Sequence, residues 1–250
     1  FALIAQVASN FANEYYDYAN GLDKKGREGY RRGVTEGDIK PEAMKRATYS
    51  LLLIDAALGC TLIIWGGWWL IAIGVMIAIF AVAYSAGPYP LSHHGLGDIA
   101  VVLFFGLVPV YFTAYVQTQS PDMGWTVWMT AFAIGLLAAN VLIVNNYRDA
   151  SDDREVGKHT TVVIFGKKTM ACVYLINAIA GILLLSLSGA KTQPTATSAG
   201  WACFAALYIA LWNAMRHLQG KELNRILKFT SILLMAASIY ELVLLTVWPL

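Results

Sequence analysis

Charge is scarce in this chain: 18 Lys and Arg and 16 Asp and Glu are spread over 250 residues, of which 58% are hydrophobic. A sequence so poor in charge lies outside the range of ordinary soluble domains. Cysteine is nearly absent. Cys60, Cys172 and Cys203 are odd in number, lack CxxC spacing and fall within apolar runs. That pattern supports neither a disulfide framework nor a thiolate metal site and predicts buried thiols acting as small hydrophobes. There is no low-complexity tract, no basic signal-peptide start and no initiator Met. The polar stretches at 122–124 and 193–197 are only short turns, so residues 1–250 read as a single transmembrane domain.

What fills the chain instead is apolar sequence in long blocks. A helix needs about 20 residues to cross the hydrocarbon core. Stretches of that order run at 47–65, 68–86, 99–117, 125–144, 170–189, 198–215 and 226–248, and residues 1–18 read as the second half of another apolar helix. In lipid the backbone must satisfy its own hydrogen bonds, which leaves helices or closed barrels, and runs this long without alternation are helices. The expected fold is all-α, a polytopic membrane helix bundle with eight visible helices, from which an N-terminal piece is missing.

Orientation follows from the bases. Eight Lys and Arg lie at 24–46, five at 148–168 and four at 216–228, leaving only Lys191 elsewhere. By the positive-inside rule these loops, with the connection holding His93 and His94, are cytoplasmic. Trp65, Trp68, Trp69, Trp125, Trp128 and Trp248 gather at segment ends. This is an aromatic belt for contact with membrane lipid rather than a stacking surface for nucleic acid.

Two polar patterns recur where apolar segments run out: Asn13, Glu14, Tyr15, Tyr16, Asp17, and later Asn145, Asn146, Tyr147, Arg148, Asp149. On a helix Asn10, Asn13 and Asp17 share one face at i, i+3 and i+7, and Asn146, Asp149 and Asp153 repeat that spacing. Carboxylates at the ends of spanning segments normally face a cavity or a partner. Interfacial polarity is the plain alternative, but a pattern that recurs on the basic side favours two stripes facing each other across a bundle. Hard oxygen donors without Cys or spaced His point to Mg²⁺, which is usually held by a few carboxylates and substrate phosphates. The natural occupant is a diphosphate. Arg154 and Lys158, with Lys24, Lys25, Arg31 and Arg32, are available to balance its charge.

Between the second and third long apolar runs, Tyr84 to Asp98 is rich in Gly and Pro and reads as an ordered turn, whose Tyr84 and His94 are candidates for binding a phenolic substrate. Asp55 and Glu241 lie inside apolar segments, where paired or protonated structural carboxyls are one reading and an ion relay of a transporter is another. Transporters place coupling sites near the midplane. The strongest polar clusters here lie at segment ends on one side, which favours an interfacial enzyme.

These residues resemble the UbiA superfamily of intramembrane prenyltransferases. Asn13 and Asp17 match its first Asp-rich motif, and Asp149 and Asp153 match the second. Within the superfamily the chain is most similar to the 1,4-dihydroxy-2-naphthoate prenyltransferases of menaquinone synthesis, through 9–17, 87–98 and 145–166. The resemblance implies a nine-helix bundle, one helix more than is visible, embedded in a bacterial inner membrane with its site facing the cytoplasm. It implies Mg²⁺ on Asn13, Asp17, Asp149 and Asp153, and a polyprenyl diphosphate and an aromatic acceptor as substrates. Substrate contacts are expected from Asn10, Arg31, Arg32, Tyr84, His94, Asn146, Tyr147, Arg148, Arg154 and Lys158. Loss of the acceptor's carboxyl group as carbon dioxide is implied by the resemblance alone. Relatives using 4-hydroxybenzoate, a tetrapyrrole side chain or a glycerol phosphate lipid are the alternatives.

Two positions depart from the family pattern. Glu14 stands where many relatives have Asp, and Gly21 stands where a third carboxylate is usual, with Asp23 the nearest substitute. The sequence carries no signal for oligomeric state or prenyl chain length.

Overall fold

The computed structural model describes residues 1–189 and 197–247, so Lys191, Trp248 and most of the turn at 193–197 lie outside the described residues. In chain order the helices are α1 (Ala2–Ala19), α2 (Gly33–Glu36), α3 (Pro41–Thr61), α4 (Ile63–Gly66), α5 (Leu70–Ala83), α6 (Gly97–Val101), α7 (Val108–Thr118), α8 (Trp125–Glu155), α9 (Thr161–Ser188), α10 (Thr197–His217) and α11 (Leu223–Val247). Strand pairing among the described residues is limited to an isolated bridge between His94 and His159. The architecture is an all-α bundle. Six of its rods are long and apolar enough to cross a membrane, which makes the chain a multi-pass membrane protein.

Sequence chemistry sets several helix ends. Pro41 opens α3 after an extended Lys40, where its missing N–H costs nothing. Gly67, at φ 83, separates α4 from α5. That break, with Pro88 and Pro90 downstream, shortens the expected 68–86 span to Leu70–Ala83. At 1.5 Å per residue this helix reaches about 21 Å, less than the roughly 30 Å hydrocarbon core. Helix α8 does the opposite. It continues past the apolar run, which ends at Val144, to Glu155, and so carries the second polar motif on regular helix.

Helix α8 is the centre of the bundle. Half of its most apolar window is buried, against 11% for the rod containing α3. Close approach to it depends on small residues, the usual device where lipid removes the hydrophobic drive. Between α6 and α7 the rod winds as a π-helix over Val102–Leu107, just before Pro109, whose ring and missing N–H disturb the preceding turn. There Gly106 meets Gly135 of α8: a methyl added at Gly106 would stand 2.5 Å from the Gly135 Cα.

The expected burial of the three thiols is overturned, because Cys60, Cys172 and Cys203 are all exposed on the outer surface. Lipid tails are as apolar as a core, so an apolar run alone does not say which face turns inward. Trp65, Trp68, Trp69, Trp125 and Trp128 are exposed as well.

Candidate active site

One cavity of about 790 Å³ opens where the polar ends of α1 and α8 meet. Its wall takes Asn10, Asn13 and Asp17 from α1, and Asn145, Asn146, Asp149, Asp152 and Asp153 from α8. Asp23, Lys24, Arg27, Tyr30 and Arg32 reach it from the loop after α1, and Lys158 from the turn after α8. The two motifs, more than a hundred residues apart in the chain, therefore face a common chamber.

Asp17 is 1% exposed and is surrounded by bases. Lys158 Nζ lies 3.3 Å from its Oδ2, Arg32 Nη2 3.6 Å from the same oxygen, and His93 Nε2 3.4 Å from Oδ1. Arg32 also donates to Asn13 Oδ1 at 2.8 Å, and Asn13 Nδ2 donates to Ser85 Oγ at 2.8 Å. On the opposite wall Asp149 is held twice. Arg27 Nη2 donates to its Oδ2 at 2.7 Å, while Arg148 donates to Oδ1 and Oδ2 at 2.7 and 2.8 Å.

Arg27 joins the halves, because its other nitrogen lies 3.2 Å from Asp23. Burial is the largest influence on Asp23 and holds its carboxyl above the ordinary range; Arg32 opposes that shift and Asp17 adds to it. Burial works to lower Arg27, but Asp149 and Asp23 outweigh it and hold the guanidinium above its ordinary value. Asp23 thus stands in the chamber that Gly21 cannot serve. Glu14 turns elsewhere, accepting the Val34 N–H at 2.9 Å and bracing α2.

Of the metal and substrate contacts expected from the resemblance, the chamber collects Asn10, Asn13, Asp17, Arg32, Tyr84, Asn146, Asp149, Asp153 and Lys158. Five others stand outside its wall. Arg31 is exposed and paired with Asp38 at 2.7 Å. Arg154 is exposed at the end of α8. Tyr147 is packed in the core with Lys167 Nζ 4.9 Å from its ring centre, because the residue two before Asp149 falls on another helix face. Arg148 grips Asp149 from outside the wall and is tied to Asn224 and Asn145 at 2.7 and 2.8 Å. His94 stacks on Tyr89 at 3.6 Å and bonds Pro90 O at 2.8 Å, so its neighbour His93 is the one that reaches Asp17.

Arg27 and His93 are the site residues that sequence reasoning missed. The i, i+4 relation of Asp23 and Arg27 was the available signal for the first. For the second there was none, since the loop's fold decides which of two adjacent rings turns inward.

Asp55 and Glu241 lie apart from this chamber. Asp55 is 5% exposed, and Glu241 accepts a hydrogen bond from Ser188 Oγ. The donor set of the chamber, carboxylates and amides without thiols, suits Mg²⁺. Among the described residues no three His, Cys, Asp or Glu side chains are gathered closely enough to cage a metal by themselves. A few carboxylates facing a space large enough for a phosphate ligand fit the way Mg²⁺ is ordinarily held.

Comparison with known proteins gives concordant results. The model of the UbiA prenyltransferase family matches residues 1–239. The chain is 38% identical over 172 residues to the 1,4-dihydroxy-2-naphthoate octaprenyltransferase of Escherichia coli, covering 66% of this chain and 54% of that protein. It is 35% identical over 170 residues to the protein of that name from Haemophilus influenzae, with 66% and 54% covered. The chain thus spans about half the length of these curated relatives. The structure of a UbiA homolog from Archaeoglobus fulgidus bound to DMAPP and Mg²⁺ shares the fold, with a TM-score of 0.65 at 15% identity, covering 98% of this chain and 88% of that one.

Proposed function

This chain belongs to the UbiA prenyltransferase family, and from that premise we propose that the intact protein moves a polyprenyl group from an allylic diphosphate to an aromatic acceptor with the help of Mg²⁺. The observation that carries this reading is the single chamber shared by Asp17, Asp23, Asp149 and Asp153. The names of the relatives support 1,4-dihydroxy-2-naphthoate as the acceptor, and on our reading its carboxyl group leaves as carbon dioxide. The chamber lies among the base-rich loops, which supports an enzyme working at the cytoplasmic face, and the bacterial relatives support a bacterial inner membrane.

Asn13, Asp17, Asp23, Asp149 and Asp153 would hold the metal. Mg²⁺ supplies charge neutralisation for the diphosphate when bound. Lys158, Arg27 and Arg32 face the same space, positioned to stabilise negative charge that grows as the carbon–oxygen bond breaks and its electron pair departs with the diphosphate. Apolar wall residues Val101, Phe105, Ala138 and Leu142 keep water from the allylic carbon until the aromatic ring attacks it.

The test incubates membranes carrying the intact enzyme with labelled prenyl diphosphate and a panel of acceptors: 1,4-dihydroxy-2-naphthoate, 4-hydroxybenzoate, a tetrapyrrole and glycerol phosphate. Label is expected in the naphthoate product, lost on chelating Mg²⁺ and regained on adding it back. Transfer indifferent to a chelator would refute the metal-assisted reading.

A further inference from the structure

A second set of polar residues lines the same chamber. Asp98 stands at the start of α6, Ser92 in the loop before it, and Thr160 just ahead of α9. Each has a buried oxygen without a hydrogen-bond partner among the described residues: Asp98 Oδ1, Ser92 Oγ and Thr160 Oγ1. Ser92 is 7% exposed and Thr160 3%. Thr160 occupies the N-cap position of α9, where a threonine hydroxyl ordinarily bonds the first turn, yet it makes no capping bond. Asp98 accepts a hydrogen bond from Thr161 through its other oxygen and enters no ion pair among the described residues.

Orphaned buried oxygens are costly, and three on residues that line one chamber mark where a hydrogen-bond donor would be accepted. None of the three residues is a base and Asp98 is acidic, so the group suits a hydroxyl donor and disfavours a carboxylate beside Asp98. Beside it the wall is apolar, with Val101, Phe105 and Leu142. Tyr84 crowds the start of α6 so closely that a methyl at Gly97 would stand 3.2 Å from its Oη.

We propose that Asp98, Ser92 and Thr160 form the subsite that takes the ring hydroxyl of an aromatic acceptor, with Asp98 as the principal hydrogen-bond acceptor. The inference rests on the prenyl-transfer reading for the ligand's class. Its geometry follows from the charges: a carboxylate on the same ring is turned away from Asp98 and towards the chamber's bases, Arg27, Arg32 and Lys158. Hydrogen bonding to Asp98 also raises electron density on the ring that must attack.

The test is equilibrium binding of 1,4-dihydroxy-2-naphthoate to the intact enzyme in detergent, followed by the ligand's fluorescence, beside its 1-O-methyl and 4-O-methyl ethers. Asp98→Asn is expected to weaken naphthoate binding roughly ten- to hundredfold, the ordinary worth of a hydrogen bond to a charged group. In that variant one ether should bind about as well as the parent compound, while KM for the prenyl diphosphate stays unchanged. A naphthoate affinity within about twofold of wild type, or both ethers binding wild type as tightly as the parent, would overturn the proposal. Should Asp98→Asn fail to fold, Ser92→Ala and Thr160→Val each remove one hydroxyl, and unchanged acceptor binding in both overturns it equally. Wild type that binds the naphthoate but transfers no prenyl group sinks the proposed activity and leaves this subsite standing.

Discussion

Two carboxylates of the second motif differ in what they hold, and substituting them should separate stability from chemistry. Asp149 is 4% exposed at its side chain and shared by Arg27 and Arg148, itself 2% exposed. Removing one partner of a buried pair costs about 3–5 kcal/mol because the other charge is stranded. Asparagine keeps the shape and one acceptor oxygen, so Asp149→Asn should fall at the low end, about 3 kcal/mol. For a chain of this size that is roughly 6–12 °C in melting temperature. Asp153 is partly exposed and has no ion pair among the described residues. Asp153→Asn should therefore melt within about 2 °C of wild type.

Both variants of the intact enzyme should insert into the membrane and lose prenyl transfer. Melting is followed by tryptophan fluorescence in detergent, and turnover by labelled prenyl diphosphate. Turnover retained by Asp153→Asn at ordinary Mg²⁺ would refute the metal-holding role of this motif. An unchanged melting temperature in Asp149→Asn would refute the weight given to its ion pairs.

Two further outcomes follow from the geometry. Arg27 bridges Asp23 and Asp149 in the chamber wall, whereas Arg154 is exposed outside it; Arg27→Gln should raise KM for the prenyl diphosphate about tenfold or more while Arg154→Gln leaves it unchanged, and equal effects in steady-state assays would contradict this placement. A methyl at Gly135 would stand 2.7 Å from the Val102 carbonyl oxygen, so Gly135→Ala should destabilise by about 1–3 kcal/mol, read as a fall in melting temperature, and an unaltered melt would show that the helices are free to move apart.

The bundle was legible because membrane composition leaves few alternatives, and the two stripes were legible because helical spacing puts Asn13 with Asp17 and Asp149 with Asp153. Loops were harder. Whether His93 or His94 faces Asp17 depends on the turn between Pro90 and Gly95 and its bridge to His159, which no periodicity encodes. Arg148 was misplaced for a related reason. Adjacent to Asp149 in sequence, it points about 100° away around α8 and reaches the carboxylate from outside the wall, under the loop at Gly29, where a methyl would stand 2.6 Å from its Nη2. The cysteines failed on another ground, since an apolar helix in lipid has no solvent contrast to mark its inner face.

The charge inventory of the chamber bears on what it accepts. Asp17, Asp23, Asp98, Asp149, Asp152 and Asp153 line it, against Lys24, Arg27, Arg32, Lys158 and Lys228, with Arg148 behind Asp149. Neither sign dominates. A chamber built to trap a bare anion would be cationic throughout, as Arg-rich phosphate sites are, and one built to trap a bare divalent ion would be acidic throughout. In this near-balanced wall a diphosphate alone would leave about three negative charges uncompensated, and a lone divalent ion two positive ones, in a partly buried space where each is costly. Arriving together the two largely cancel. On the proposed reading, carboxylates of α1, α6 and α8 interleaved chiefly with bases from the loops after α1 and α8 make donor and metal depend on each other, which neither motif could do alone.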